Sequence, residues 1–254
     1  MPGAWQAEFT MINAVTLLLT RFPHDEFFYD NAYKKDIFRD DVDNLSDDDR
    51  GLLYRTPGRG LDKPVNHKAM SGLWGTMLLL LGPKVTFASF HYADPTPLLA
   101  GERSESIDFN DRTLNLTLQG NPIAERKQYT TMERYRTDYG VVNADDLGYV
   151  RLMSQDQPYA LSVEYHNSVV ETLRPGHDGL CLRIAGGHTA QEKAILVHEC
   201  PHPGYVIGCI SPRPDGNRGI FENKEGNPSQ KAMQEIVKYM GKTGNVGTLF
   251  VLRN

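Results

Sequence analysis

The sequence predicts a mainly β, α+β protein: a strand-built domain closed by a C-terminal helix and preceded by a mostly helical N-terminal segment. Three observations carry that prediction. From about Lys84 onward apolar residues recur at every second position, which is the period of a half-buried strand. Near the end, residues 227–241 carry a complete helix signature with start and stop signals. The first 84 residues show neither pattern and differ in charge.

Residues 1–64 hold 8 Lys and Arg against 12 Asp and Glu, much of the acidic excess lying in Asp40, Asp41, Asp43, Asp47, Asp48 and Asp49. A calcium loop would need an oxygen side chain where Leu45 stands and a glycine where Ser46 stands. Ser46 followed by three aspartates reads instead as a helix N-cap with acids in the first turn. Residues 51–67, with Pro57, Pro64 and three glycines, read as a loop. The apolar block Met77–Leu81 reads as a buried helix ended by Gly82-Pro83. Its uncharged surroundings, between Lys68 and Lys84, are shorter than the ~20 residues a bilayer requires.

In the second part, Val85 to Phe90, Thr113 to Leu118 and Tyr159 to His166 alternate as strands. Leu180–Ile184 and Ala194–Val197 are short apolar runs suited to central strands. The closing helix has Asn227 as N-cap, Pro228 in its first turn and Gln230 three residues after the cap. Ala232, Met233, Ile236, Val237 and Met240 form its apolar stripe, and Gly241 stops it. The expected division is therefore a docking segment over residues 1–84 and a catalytic domain over residues 85–254.

A formal charge of −5 gives no electrostatic reason to bind nucleic acid or an anionic membrane. The N-terminus lacks a basic region ahead of an apolar core, so the expectation is synthesis in the cytosol without an export signal. Three cysteines, Cys181, Cys200 and Cys209, leave at least one free thiol.

There is no Gly-x-Ser-x-Gly elbow, and Gly241-Lys242-Thr243 follows a helix where a phosphate loop would open one. His198-Glu199-Cys200-Pro201-His202 matches the zinc-peptidase string His-Glu-x-x-His, which needs both histidines on one helical face. Pro201 and Pro203 oppose a helix there, and the preceding residues look like a strand. Zinc held otherwise by His198, Cys200, His202 or Cys209 is an alternative. The reading preferred here takes Cys209 as a nucleophile. Gly208 clears space beside the sulfur, and His198, eleven residues upstream at a strand end, can reach it across a loop. A buried cysteine and a merely hydrogen-bonded histidine are the bland reading of the same residues.

Ile195-Leu196-Val197-His198, a Pro/Gly loop and Gly208-Cys209-Ile210 together resemble the L,D-transpeptidase catalytic domain. The similarity is nearest to a compact branch of that superfamily found in phage and secretion-associated proteins. It covers residues 155–241, and residues 85–154 by strand pattern alone. Val206-Ile207 stand where the family has Ser/Thr-His, Glu199 where it often has Gly, and Arg213 lies further from the cysteine than the usual Arg.

The resemblance implies an L,D-transpeptidase-like β-sandwich or barrel acting on peptidoglycan stem tetrapeptides through a thioester, with no cofactor and no metal. Cys209 would be the nucleophile, His198 the base, Gly208 with Cys209 the oxyanion donors and Arg213 the carboxylate binder. His188 and His202 are the candidates to replace the family's missing histidine. A cytosolic chain acting on the wall would need delivery by a secretion apparatus or by lysis, as an antibacterial effector or phage component, and an immunity or delivery protein would be its partner. A non-enzymatic wall-binding or structural module is the competing class.

Overall fold

The computed structural model describes residues 14–30, 35–38, 69–90, 97–134, 152, 157–165, 179–186, 195–203, 206, 208–221 and 224–252. The acidic run at 40–49, the loop at 51–67 and His188 lie outside these residues.

Ten strands and one helix are formed among the described residues. The strands are β1 (Ala14–Asp30), β2 (Lys35–Phe38), β3 (Ala69–Ser89), β4 (Glu102–Phe109) and β5 (Arg112–Arg134). They continue as β6 (Tyr159–Tyr165), β7 (Leu180–Ala185), β8 (Ile195–His198) and β9 (Ser211–Pro214), then helix α1 (Pro228–Gly241) and β10 (Val246–Val251). The strand order is β4-β5-β3-β1-β10-β6-β7-β8, with β2 on the far part of β1 and β9 on β5. β1 and β10 pair in parallel, and the other ladders are antiparallel. A bridge between Val197 of β8 and Ile210, the residue before β9, then joins β8 to the β9–β5 ladder, leaving β4 outside the closure. The hydrogen-bonded circuit closes.

Inside the circuit, Val15, Leu17 and Leu19 of β1 meet Met77, Leu79 and Leu81 of β3. Leu161, Leu182, Val197 and Leu249 come from the other strands. Ala232, Met233, Ile236 and Met240 of α1 pack onto them. Outside it, Leu18, Leu78 and Leu80 point the other way and are covered in turn. β3 and β5 bend at register shifts between Leu81 and Pro83 and between Val85 and Phe87. Their far ends, with β4, bring Leu114, Leu116, Leu118 and Phe109 onto that outer face. β4 and β5 are joined by Asn110 and Asp111, both at positive φ (52° and 59°), the two-residue turn whose twist suits a hairpin.

This arrangement corrects the expectation for the N-terminal segment. Residues 14–30 and 69–84, expected within a mostly helical unit, are strand, and the Met77–Leu81 block is the middle of β3 rather than a helix. The physical reason is burial on both faces. A strand covered by α1 on one side and by the curled hairpin on the other has apolar residues at every position, so its period of two disappears. The division at residue 84 also fails, because it cuts β3 and leaves β1 hydrogen-bonded between β3 and β10.

α1 matches its signature. Asn227 Oδ1 accepts from Gln230 N at 2.9 Å, and Gln230 Oε1 accepts from Gly226 N at 2.5 Å. Its outer side is tied to β5: Tyr129 Oη donates to Glu235 Oε2 at 3.0 Å, Lys127 pairs with Glu235, and Lys242 Nζ meets Glu125 Oε1 at 2.6 Å.

A chain beginning at residue 85 loses β1, most of β3 and eleven buried apolar side chains of the described residues, each worth about 1.5–3 kcal/mol on burial. Far-UV circular dichroism and a thermal melt should show an unfolded chain with no cooperative transition.

Candidate functional site

β8 and the segment leading into β9 lie side by side. His198 N donates to Ile210 O at 2.9 Å and Ile210 N donates to Leu196 O at 2.9 Å, so Cys209 is seated against the end of β8. The chain turns into this position at Gly208, whose φ of 77° is a left-handed conformation open to glycine and strained for other residues. His198 is buried, and its Nδ1 lies 2.7 Å from Glu199 O. A carbonyl only accepts, so the neutral ring carries its proton on Nδ1 and Nε2 is its basic nitrogen.

The three cysteines share one small apolar cluster with Trp74, Met132, Leu196 and Val206. Cys209 is 8% exposed, while Cys181 and Cys200 are fully enclosed. Burial pushes all three thiols up. Cys181 and Cys200 reach about 12, and Cys209 reaches about 11, with a hydrogen bond from the Leu196 backbone opposing the rise and Glu133 adding to it. Cys209 is therefore a protonated thiol at neutral pH in this state. The lowered value expected of a standing thiolate–imidazolium pair is not what this environment produces.

Arg213 corrects another expectation. It is wholly buried, so it is not a receptor for a substrate carboxylate. Its guanidinium lies between the rings of Trp74 and Phe221, 4.8 and 4.7 Å from their centroids. Nη1 donates to Gly219 O at 2.8 Å, and Nη2 reaches Cys200 O and Pro201 O at 3.2 and 3.3 Å. Arg213 thus fastens the 200–201 backbone to β9. The same segment is tied to the start of α1: Cys200 N donates to Ser229 Oγ at 3.0 Å, and Ser229 Oγ lies 2.8 Å from both Ser211 Oγ and Pro212 O.

The helical zinc-peptidase motif is not formed. His198 ends a strand, and residues 199–203 follow as irregular chain rather than helix, so His198 and His202 do not share a helical face. Cys200 Sγ bonds to His202 O at 2.8 Å. Among the described residues no group of three His, Cys, Asp or Glu is arranged to hold a metal ion, and no helix is long and apolar enough to cross a membrane.

One charged pair of the interior escaped the sequence reading. Arg21 and Glu133 form a buried two-pronged ion pair, Nε to Oε2 at 2.5 Å and Nη2 to Oε1 at 2.7 Å. Their signal was positional: each continues an inward-facing alternation, Leu17-x-Leu19-x-Arg21 and Tyr129-x-Thr131-x-Glu133, where a further apolar residue is due.

Comparison of the chain with protein-family models, with curated proteins and with solved structures gave no match.

Arg213→Ala should lower the unfolding free energy by about 3–5 kcal/mol, since it strips a buried cation from several carbonyls. Urea denaturation reads this, and Arg213→Lys should recover only part of the loss, having neither the fork nor the stacking plane. A second expectation concerns alkaline pH. Unfolded cysteines release their protons above about 8.5, whereas the folded ones hold them, so stability is intact below that value and falls as pH rises toward the folded thiol values. The urea midpoint should be lower at about pH 10 than at about pH 7, and Cys181→Ala should shrink that difference.

Proposed function

We propose that this protein is a cysteine acyl-transfer enzyme of the L,D-transpeptidase type, acting on peptidoglycan stem tetrapeptides. The observation that supports this reading is the bridge between Val197 and Ile210, which seats Gly208-Cys209 against the strand end bearing His198. The closed strand circuit with an inward-packed helix is compatible with the barrel the resemblance implies.

In this reading His198 Nε2 removes the proton from Cys209 Sγ as the sulfur attacks the carbonyl carbon of an L-centre. Backbone N–H groups of Gly208 and Cys209 face the developing oxyanion. The carbon–nitrogen bond to the departing D-residue breaks, and the proton on His198 passes to the leaving amine. The resulting thioester is resolved by an amine, a free D-amino acid or water. Binding of the tetrapeptide carboxylate falls to a residue other than Arg213, whose side chain is enclosed. Delivery to the wall by a secretion apparatus or by lysis, and a partner protein for that step, belong to the same proposal.

The burial of Cys209 favours one competitor, a wall-binding module whose thiol is structural. Mass spectrometry of muropeptides after incubation with the protein separates the two. Cys209→Ser should abolish new or shortened cross-links, His198→Ala should slow them by about 10²–10⁴-fold, and Cys181→Ser should leave them near the wild-type rate. Turnover that persists in Cys209→Ser and stops with a chelator would overturn the thiol mechanism.

A further inference from the structure

Which nitrogen of an imidazole is basic is settled by the partner of the other nitrogen. For His198 that partner is a backbone carbonyl, Glu199 O, 2.7 Å from Nδ1. A carbonyl oxygen points where its peptide plane is held, so its aim depends on the peptide linking Glu199 to Cys200. Residues 199–201 belong to no strand or helix, so that plane lacks the ladder that fixes the carbonyls of a strand.

One side chain grips the same peptide from its other end. Cys200 N donates to Ser229 Oγ at 3.0 Å, and Ser229 is wholly buried in the first turn of α1. The neighbours of this hydroxyl fix its roles. Pro212 O, 2.8 Å away, only accepts, so Ser229 donates its single proton there. An N–H only donates, so the Cys200 amide takes one lone pair of the oxygen, and Ser211 Oγ at 2.8 Å donates to the other. The turn that carries Ser229 is itself held: Asn227 Oδ1 accepts from Gln230 N at 2.9 Å, and Lys231 N donates to Asn227 O at 3.1 Å. Asn227 supplies the cap, so the buried hydroxyl of Ser229 serves the segment opposite rather than its own helix. Contacts run without a gap from α1 through one hydroxyl and one peptide plane to the imidazole.

We infer that Ser229 is a positioning residue of the site: by holding the peptide between Glu199 and Cys200 it keeps the His198 proton on Nδ1 and leaves Nε2 as the base. This rests on the proposed thiol chemistry, in which Nε2 takes the proton of Cys209 Sγ as the sulfur attacks. Without the hydroxyl, the 199–200 plane tilts to find its amide another acceptor, Glu199 O leaves Nδ1, and the proton settles on Nε2. A ring protonated at Nε2 has no lone pair there, so attack stalls although substrate still binds. Arg213 grips the Cys200 carbonyl, one peptide further on, at 3.2 Å, with Ser211 Oγ 3.3 Å from it. Those two secure the same segment without touching the plane that faces His198.

The test is long-range proton–nitrogen NMR on the full chain carrying isotope-labelled histidine, which reads the tautomer of each neutral imidazole. Spectra are taken at about pH 8, above the ordinary imidazole range, and His198→Ala identifies the His198 signals. The wild-type ring should be protonated at Nδ1; protonation at Nε2 would overturn the inference before any variant of Ser229 is made. Ser229→Ala should convert the ring to the Nε2-protonated form. Ser211→Ala loosens the same buried cluster but leaves Cys200 N its acceptor, and it should keep the wild-type signals. An unmoved ring in Ser229→Ala would overturn the inference, as would a ring that moves as far in Ser211→Ala, the mark of general loosening. On muropeptides, Ser229→Ala should lose about tenfold in kcat with KM unchanged, part of what a general base supplies. The NMR signals need no turnover, so the expected tautomers in a chain that leaves muropeptides untouched would sink the proposed function while the hold of Ser229 on His198 stands.

Discussion

The parallel ladder between β1 and β10 holds the two halves of the molecule together. On one side lie β3, β5 and β4, on the other β6, β7 and β8, and each half alone would present two open edges. The ladder demands close approach. Gly247 lies opposite Val15, and a Cβ there would come within 2.7 Å of Val15 O and 3.2 Å of the Met240 side chain. A glycine at that position lets strand, partner strand and helix meet in one layer. With the halves joined, β8 comes round to the β9–β5 ladder, where Ile210 bridges Val197. The placement of Cys209 against β8 therefore depends on contacts made on the far side of the circuit.

What could be read in the sequence, and what could not, follows from how many faces each element buries. β6, with Tyr159 and Leu161 inward and Ala160 exposed, displays its period, and α1 displays its caps. β1 and the middle of β3 are covered on both faces, so Leu17-Leu18-Leu19 and Leu78-Leu79-Leu80 carry no period and look equally like buried helix. That the 208–210 segment lies beside the end of β8 was legible because both are short, strongly patterned segments. The enclosure of Arg213 was not. It depends on Trp74, more than a hundred residues earlier, and on a loop aromatic, Phe221, neither of which has a local relation to β9.

The polar groups near the cysteine divide by what they hold. Arg213, Ser211 and Ser229 secure backbone, binding the 200–201 segment to β9 and to the first turn of α1. Their hydrogen bonds replace those that an irregular buried stretch would otherwise make with water. Glu133 and Arg21 hold each other, where β5 and β1 turn from apolar to charged.

The separation in sequence of the two strands in the parallel ladder has a consequence for biosynthesis. Thr16 Oγ1 and Thr248 Oγ1 lie 3.1 Å apart across 232 positions of chain. β1 leaves the ribosome early and then waits, able to pair with β3 but with its other edge bare, until β10 has been made. Closing so long a loop is slow, and a bare apolar edge is a template for pairing with another chain. During that interval the nascent protein is at its most vulnerable to aggregation, and a factor that shelters the edge of β1 would raise the yield of folded molecules without touching the finished structure.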